Sequence, residues 1–388
     1  MTARKLVVVH FAVSGGGVKR HVLEIAAGFD RGKFDLIGIF PDAAMAASVA
    51  RSGDARYLAA FKKLGLPARA LEVPRWFSPW ADCKSVFQLA GMLRRMKPDI
   101  LHCHSSKAGL VGRLAAALAG TPAVCYTPHN MYYAIQRGMK RQVFLLAEQA
   151  LALFSDAIIA VSDSEDREFR RDLWCKKKIV RIDNGIKPYS GKWEVAEVRR
   201  RYGLEPGARV ILTPARCEPQ KDVRTLVLAM ERVVRDVPEA VLLVAGEGEQ
   251  RPELEALTDR LGLRERVRFL GWVDAIEPLM AASDIVVLSS LREGLPYAVL
   301  EASDMGKPTI GSDVAGTRDC IRDGETGFLL APGDVDGFAD RMILLCGRPE
   351  ACAVMGAKGR EMVEAEFGAG RMLRELEALY ARLAGREG

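Results

Sequence analysis

The chain has 388 residues, of which 49% are hydrophobic and 27% charged. These are the proportions of a soluble globular protein with room for two or three domains, and they exclude disordered, collagenous and coiled-coil classes. The net charge of +6 divides unevenly: residues 1–182 hold 28 Lys and Arg against 15 Asp and Glu, and the remainder 28 against 35, so the first half is expected to face something anionic. In chain order, KLVVVHFAV, FDLIGIF, DILHCH, AVCYTP and DAIIAVS read as strands of the first half, and RVILTPA, AVLLVAGE, VRFLGW, DIVVLSS and PTIGSD as strands of the second. Helix-period segments of 10–15 residues separate them, which predicts parallel sheets with helices on both faces. Turn residues cluster in IVRIDNGIKPYSGKW, so a domain boundary is expected near Ile186. The final GAGRMLRELEALYARLAG has an apolar stripe of Leu373, Leu376, Leu379 and Leu383 and is expected to pack across the domain interface.

No run of about 18 uncharged apolar residues occurs, so no spanning helix is expected. The opening MTARKLVVVH holds one short apolar run and no cleavage site, and the expectation is a cytoplasmic protein. The eight cysteines have no CxxC or regular spacing and are expected to be reduced and mostly buried. His102, Cys103 and His104 are the one metal-like cluster; a strand puts both histidines on one face, and without a second cluster the reading is structural.

In such an architecture chemistry comes from the strand-to-helix loops. Gly16 and Gly17 in SGGGVKRHVLEIA let backbone approach a phosphate at a helix start, but Arg20 replaces the last glycine of a dinucleotide fingerprint. CYTPHNMYY brings His129 to a strand tip beside Asn130, Tyr132 and Tyr133, where it can donate to a substrate hydroxyl or share a proton. Arg216 and Lys221, five residues apart in TPARCEPQKDVRTL, suit a diphosphate. In SSLREGLPYAVLEAS, Glu293 lies in a Gly/Pro turn and Glu301 in the helix starting near Pro296, both placed to accept from sugar hydroxyls. The glycine turn at Gly246 is expected to line the same place. Asp334 and Asp336 form a DxD that reads as a helix cap rather than a metal site.

Taken in order, these loops resemble family 4 of the retaining glycosyltransferases, most like bacterial polysaccharide-building members, from about Lys5 to about Arg382. ARCEPQKDVRTLVLAM is similar to the family's phosphate loop, LREGLPYAVLEAS to its acidic E-x7-E motif, and GTRDCIRDGETGFLL to its closing segment. The resemblance implies an α/β protein of the GT-B fold: two doubly wound Rossmann-like domains facing a central cleft, over residues 1–185 and 186–366, with a C-terminal helix over 367–388. It further implies that Arg216 and Lys221 bind the donor diphosphate, Glu301 the ribose, Glu293 and His129 the donor sugar, and the backbone at Val273 the base. Gly16, Gly17, Asn184, Gly246, Gly294, Leu295 and Pro296 complete the donor site. Asp319 departs from the family's usual Glu.

The reaction implied is metal-independent and cofactor-free transfer, with retention, from a UDP-sugar such as a UDP-linked N-acetylhexosamine to a hydroxyl of a lipid-linked glycan. The rival readings are a UDP-sugar epimerase of similar fold and a non-catalytic nucleotide-sugar scaffold. The basic runs Lys62-Lys63, Arg94-Arg95, Lys140-Arg141 and Lys176-Lys177-Lys178, with Trp76, Phe77 and Trp80 of RWFSPW beside Arg75 and Lys84, predict peripheral binding to an anionic membrane. No motif supports nucleic-acid binding.

Overall fold

Runs of Val, Ile and Leu in the strands are apolar at successive positions, as strands covered on both faces require. In the computed structural model, which describes residues 4–13, 15–41, 56–74 and 77–385, they form two parallel sheets. The chain divides between Gly185 and Ile186 into two compact units, the first of which also contains Ala369–Gly388.

The first unit holds β1 (Leu6–Ala12), β2 (Phe34–Pro41), β3 (Ala68–Leu71), β4 (Ile100–His104), β5 (Ala123–Thr127), β6 (Ala157–Ala160) and β7 (Ile179–Arg181), in the spatial order β3-β2-β1-β4-β5-β6-β7. The second holds β8 (Arg209–Thr213), β9 (Ala240–Ala245), β10 (Val267–Gly271), β11 (Ile285–Leu288), β12 (Thr309–Ser312) and β13 (Gly327–Leu330), in the order β10-β9-β8-β11-β12-β13. In each sheet the order reverses beside its first strand, at β1/β4 and at β8/β11. At such a reversal the loops leaving neighbouring strands turn to opposite faces and open a crevice. Three strands are additions to the sequence reading: β3 is a short edge strand with exposed residues, β7 is a three-residue edge strand at the start of the segment read as turns, and β13 is a four-residue strand within the GETGFLL segment.

Side chains alternate along β1 and β4. Val9, Phe11, Leu101 and Cys103 enter one core layer; Leu6, Val8, Ala12 and Ile100 enter the other. The closing helix, Ala369–Leu383, belongs to that second layer through Met372, Leu376, Leu379 and Tyr380. Leu373 and Leu383 of the expected stripe lie partly buried on the same layer, and Tyr380, absent from that stripe, is fully buried.

On the other side of the first sheet, helix Ser106–Ala119 carries the fully buried Arg113. Its guanidinium donates to Glu148 at 2.6 and 3.1 Å and lies 4.1 Å from the Tyr126 ring centroid. This pair ties down helix Gly138–Ala152, whose outward face is unusually apolar. Met139, Val143, Leu146 and Leu153 follow one another at helical spacing and are all more than half exposed. Trp174, 78% exposed, adjoins them: its backbone N–H donates to Gln149 Oε1, while Lys178 caps the carbonyls of Ala152 and Leu153. Phe77 and Trp80 are also exposed, whereas Arg75 and Trp76 lie outside the described residues. Among the described residues no helix is long and apolar enough to cross a membrane.

Candidate active site

The β8/β11 reversal brings the charged residues of the second unit together. The loop after β8 carries Arg216 and Lys221, and the loop after β11 carries Glu293. Lys221 Nζ lies 2.6 Å from Glu293 Oε1, which also accepts from Ser290 Oγ at 2.6 Å. Arg216 is paired with Glu218 at 2.8 Å. The two loops are bound along their length: Leu291 N–H donates to the Gln220 carbonyl, Gln220 Nε2 to the Arg292 carbonyl, and Ser289 Oγ to the carbonyls of Lys221 and Asp222.

Two glycines seal this arrangement by close approach. A Cβ on Gly246, after β9, would run into the Ala215 carbonyl; one on Gly316 would run into the Gly294 carbonyl, and Gly316 has φ 80° besides. Gly316 begins the short helix Thr317–Cys320, which contains Asp319. The buried Cys320 thiol is pushed well up by burial, with Asp319 and Glu293 adding to the effect, so it supplies no thiolate nucleophile.

Gly294, Leu295 and Pro296 lead into helix Tyr297–Asp304, where Glu301 Oε1 accepts from Tyr189 Oη at 2.9 Å. Val273 follows the end of β10, where Gly271 bridges Gly246. Asp334 caps its helix by accepting from Gly337 N–H at 2.9 Å, and the exposed Asp336 points to Arg232.

At the β1/β4 reversal the first unit has imidazoles where the second has charges. His10 and His102 are register partners on neighbouring strands, and strand alternation puts His104 on the same face one step further. His10 Nδ1 is 3.0 Å from His104 Nε2, whose Nδ1 is 3.5 Å from His129 Nε2. His102 is held on both nitrogens, by Tyr380 Oη at 2.6 Å and Thr127 Oγ1 at 2.7 Å. His21, on helix Gly17–Gly28, meets His129 edge-on with centroids 4.7 Å apart, and the side chain of Asn184 sits beside it. All five histidines of the chain therefore meet in one cluster.

Burial pushes every one of these imidazoles down, His10 and His21 to about 3, with neighbouring rings adding to the effect at His10, His102, His104 and His129. Near neutral pH the cluster is uncharged. His129 and Asn130 both have positive φ, 50° and 89°, a conformation that costs a non-glycine residue about 1 kcal/mol or more. Glu165 holds that turn, accepting from Asn130 N–H at 2.6 Å and Val161 N–H at 3.1 Å. Gly16 has φ 62°, as the entry to its helix requires, and Gly17 is the first residue of that helix.

Of the residues expected from sequence, Arg216, Lys221, Gly246, Glu293 and Gly294 meet at the second reversal, and His129 and Asn184 belong to the histidine cluster. His10, His21, Tyr189, Glu165 and Gly316 were not among the expected residues. The sequence sign for His10 and His21 was available in their positions, at the carboxyl end of one strand and in the first turns of the next helix.

Matching families follow the same division. Residues 16–185 match the glycosyl transferase 4-like domain and residues 194–362 the glycosyl transferases group 1 family. The chain is 31% identical to the glycosyltransferase EpsD of Bacillus subtilis over 76% of its length and 79% of that protein. It is 32% identical to an Escherichia coli UDP-Gal:alpha-D-GlcNAc-diphosphoundecaprenol alpha-1,3-galactosyltransferase over 71% of its length and 74% of that protein. HepE of Anabaena, solved in complex with UDP and glucose, superposes with a TM-score of 0.82 at 20% identity, covering 97% of this chain and 100% of HepE. Sucrose-phosphate synthase of Thermosynechococcus elongatus gives 0.81 at 20% identity, covering 99% and 100%. With relatives at this identity and coverage, and with the two-domain Rossmann-like architecture in place, the chain belongs to family 4 of the glycosyltransferases and has the GT-B fold.

Proposed function

We propose that the protein moves a sugar from a UDP-sugar to a hydroxyl of a lipid-linked glycan in surface polysaccharide synthesis, with retention at the anomeric carbon and without a metal. The observation that carries this reading is the pairing of Lys221 with Glu293 at the β8/β11 reversal, on whose β8 loop Arg216 also lies. Two cations on the β8 loop can spread the charge that grows on a departing diphosphate, the work a divalent ion performs elsewhere. Each cation is paired with a carboxylate, so an entering diphosphate competes for Lys221 and Arg216 and releases Glu293 and Glu218 toward sugar hydroxyls.

Glu301, whose Oε1 accepts from Tyr189 Oη, is the carboxylate assigned to the ribose. A neutral His129 hydrogen-bonds the donor sugar without adding charge. With Glu293 given to sugar hydroxyls, no side chain is assigned as a covalent nucleophile; the acceptor hydroxyl attacks from the face of the departing diphosphate, whose oxygen takes the hydroxyl proton as the sugar–phosphate bond breaks. The donor base and the lipid-linked acceptor are supported by the name of the E. coli relative, and the donor also by the UDP complex of HepE.

Attachment to the cytoplasmic face of an anionic membrane is supported by the outward face of helix Gly138–Ala152. Met139, Val143 and Leu146, with Trp174 and Lys176 to Lys178 near its end, combine apolar area with cations that suit a headgroup boundary. Cosedimentation with vesicles should rise with anionic lipid, fall with salt, and weaken when Val143 and Leu146 become Ser; protein that stays in the supernatant throughout removes this part.

Thermal shifts against UDP-, GDP- and ADP-sugars, then mass analysis and anomeric NMR of the product formed on a polyprenyl-diphosphate sugar, test the reaction. Stabilisation by a UDP-sugar and an elongated, retained product are expected. An altered sugar nucleotide without transfer indicates an epimerase, binding without any product indicates a scaffold, and an inverted product removes retention.

A further inference from the structure

The proposed reaction uses one imidazole of the cluster, yet His21, His104 and His129 bring three ring nitrogens within 4.8 Å of one another from a helix, a strand end and a loop. The His104 Nδ1 to His129 Nε2 separation of 3.5 Å is long for a hydrogen bond, which prefers about 2.9–3.0 Å. It is close to the roughly 3.4 Å between two nitrogens that share one tetrahedral ion at about 2.05 Å. On its other side His104 is braced: when Nε2–H donates to His10 Nδ1 at 3.0 Å, the Nδ1 lone pair is left pointing toward His129. That is the support a ligating imidazole ordinarily receives. The side chain of Asn184 lies beside His21.

His21 and His104 are buried, while His129 is half-buried and leaves the group open on one side. A fourth position can thus be taken by water. The other trio, His10, His102 and His104, is less suited, because both His102 nitrogens are already held by Tyr380 and Thr127. Cys103 faces the opposite core layer.

We propose that His21, His104 and His129 form a three-imidazole site for a borderline divalent transition-metal ion, of which Zn2+ and Co2+ are the probes. All-nitrogen ligation suits such ions and not magnesium or calcium, which take oxygen. The site stands on geometry alone. Its consequence rests on the donor-sugar role of His129: an ion there takes that ring from the sugar and inhibits transfer, so the metal is an inhibitor rather than a cofactor.

Titration of the full-length chain with Co2+, followed by visible absorption and calorimetry, should show one equivalent bound with the intense bands of tetrahedral cobalt, displaced by Zn2+. His129→Ala and His21→Gln should each weaken binding by at least about 100-fold, and His10→Phe by about 10- to 100-fold, as supporting partners do. His102→Asn should leave the affinity unchanged. Absence of binding tighter than millimolar, a thiolate-to-cobalt charge-transfer band, or unchanged affinity in both His129→Ala and His21→Gln would overturn the site. Should His21→Gln not fold, the His129→Ala titration decides alone. Binding without inhibition of sugar transfer keeps the site and removes the role given to His129, so the two readings fail separately.

Discussion

At the reversal of the second sheet the loops after β8 and β11 carry Arg216, Lys221 and Glu293, whereas at that of the first sheet β1 and β4 end in neutral imidazoles. The same topology has been furnished with opposite electrostatics. The difference follows from solvent: Lys221 and Arg216 keep 20% and 32% of their side chains exposed and carry a carboxylate partner each, so their charge is sustained. His10, His102 and His104 sit on strands of the first sheet with His21 and His129 packed on them, and desolvation removes their charge. On the proposed reading a charged ligand group goes to the charged β8/β11 crevice, and an uncharged hydroxyl or a metal ion to the neutral β1/β4 one.

The comparison extends to ion pairs, and the largest expected effect separates a structural pair from a site pair. Arg113 is fully buried against Glu148, whose side chain is 12% exposed, so Arg113→Ala strands a buried carboxylate. Urea unfolding should show a loss of about 3–5 kcal/mol. The double replacement Arg113→Met with Glu148→Leu should recover most of it. A single-mutant loss below about 1 kcal/mol would mean that Glu148 finds water and the pair is not what holds helix Gly138–Ala152.

Lys221→Ala and Arg216→Ala should do the reverse, leaving stability nearly intact and lowering kcat. By analogy with a lost oxyanion donor the expected loss is about 2–4 kcal/mol of transition-state stabilisation, a fall of roughly 30- to 1000-fold. Single-turnover rates separate this from weaker donor binding. Normal turnover in both variants would take the diphosphate away from the β8 loop.

How much of this was legible before the structure depends on the range of each signal. Most strands were visible because buried parallel strands are runs of β-branched residues, and Arg216, Lys221 and Glu293 could be placed on strand-to-helix loops, with Glu301 in the following helix, because their spacing is local. β3, β7 and β13 were missed because edge segments of three or four residues carry too little pattern. What sequence spacing does not encode is which distant side chains meet: Tyr380 reaches His102 across 278 positions and Tyr189 reaches Glu301 across 112. The strained turn at His129 and Asn130 also had no local sign, since Glu165, which holds it, lies 35 residues beyond Asn130.

The histidine cluster gives the comparison a pH axis. His10 and His21 titrate near 6.5 when unfolded and at about 3 when folded. Between those values the unfolded chain binds more protons, so stability is full above pH 6.5 and falls as pH drops toward 3. Each such histidine contributes a slope approaching 1.4 kcal/mol per pH unit well below 6.5; His102, His104 and His129 shift in the same direction. Since all five lie in the first unit, metal-free protein moved from pH 7.5 to 5.0 should lose hydrogen-exchange protection there and keep it in residues 186–368. Equal losses in both units, or none, would show that the rings reach water and charge without unfolding.

The smallest expected effect is none at all. If Arg216 and Lys221 supply the positive charge that the departing diphosphate needs, enzyme free of bound transition metal should keep its activity unchanged in excess EDTA, because nothing a chelator can then withdraw contributes to the chemical step. The alternative has a definite location: the DxD of Asp334 and Asp336 is the acidic pair expected of a metal-dependent transferase. Its geometry argues against that use, since Asp334 is committed to the Gly337 N–H as a helix cap and Asp336 faces Arg232 from an exposed position. Activity lost in EDTA and restored by Mg2+ or Mn2+ would nevertheless transfer the charge-stabilising role from the two side chains to an ion. It would also predict that Lys221→Ala is rescued by raised metal, whereas a metal-independent enzyme gives the same residual rate at every metal concentration.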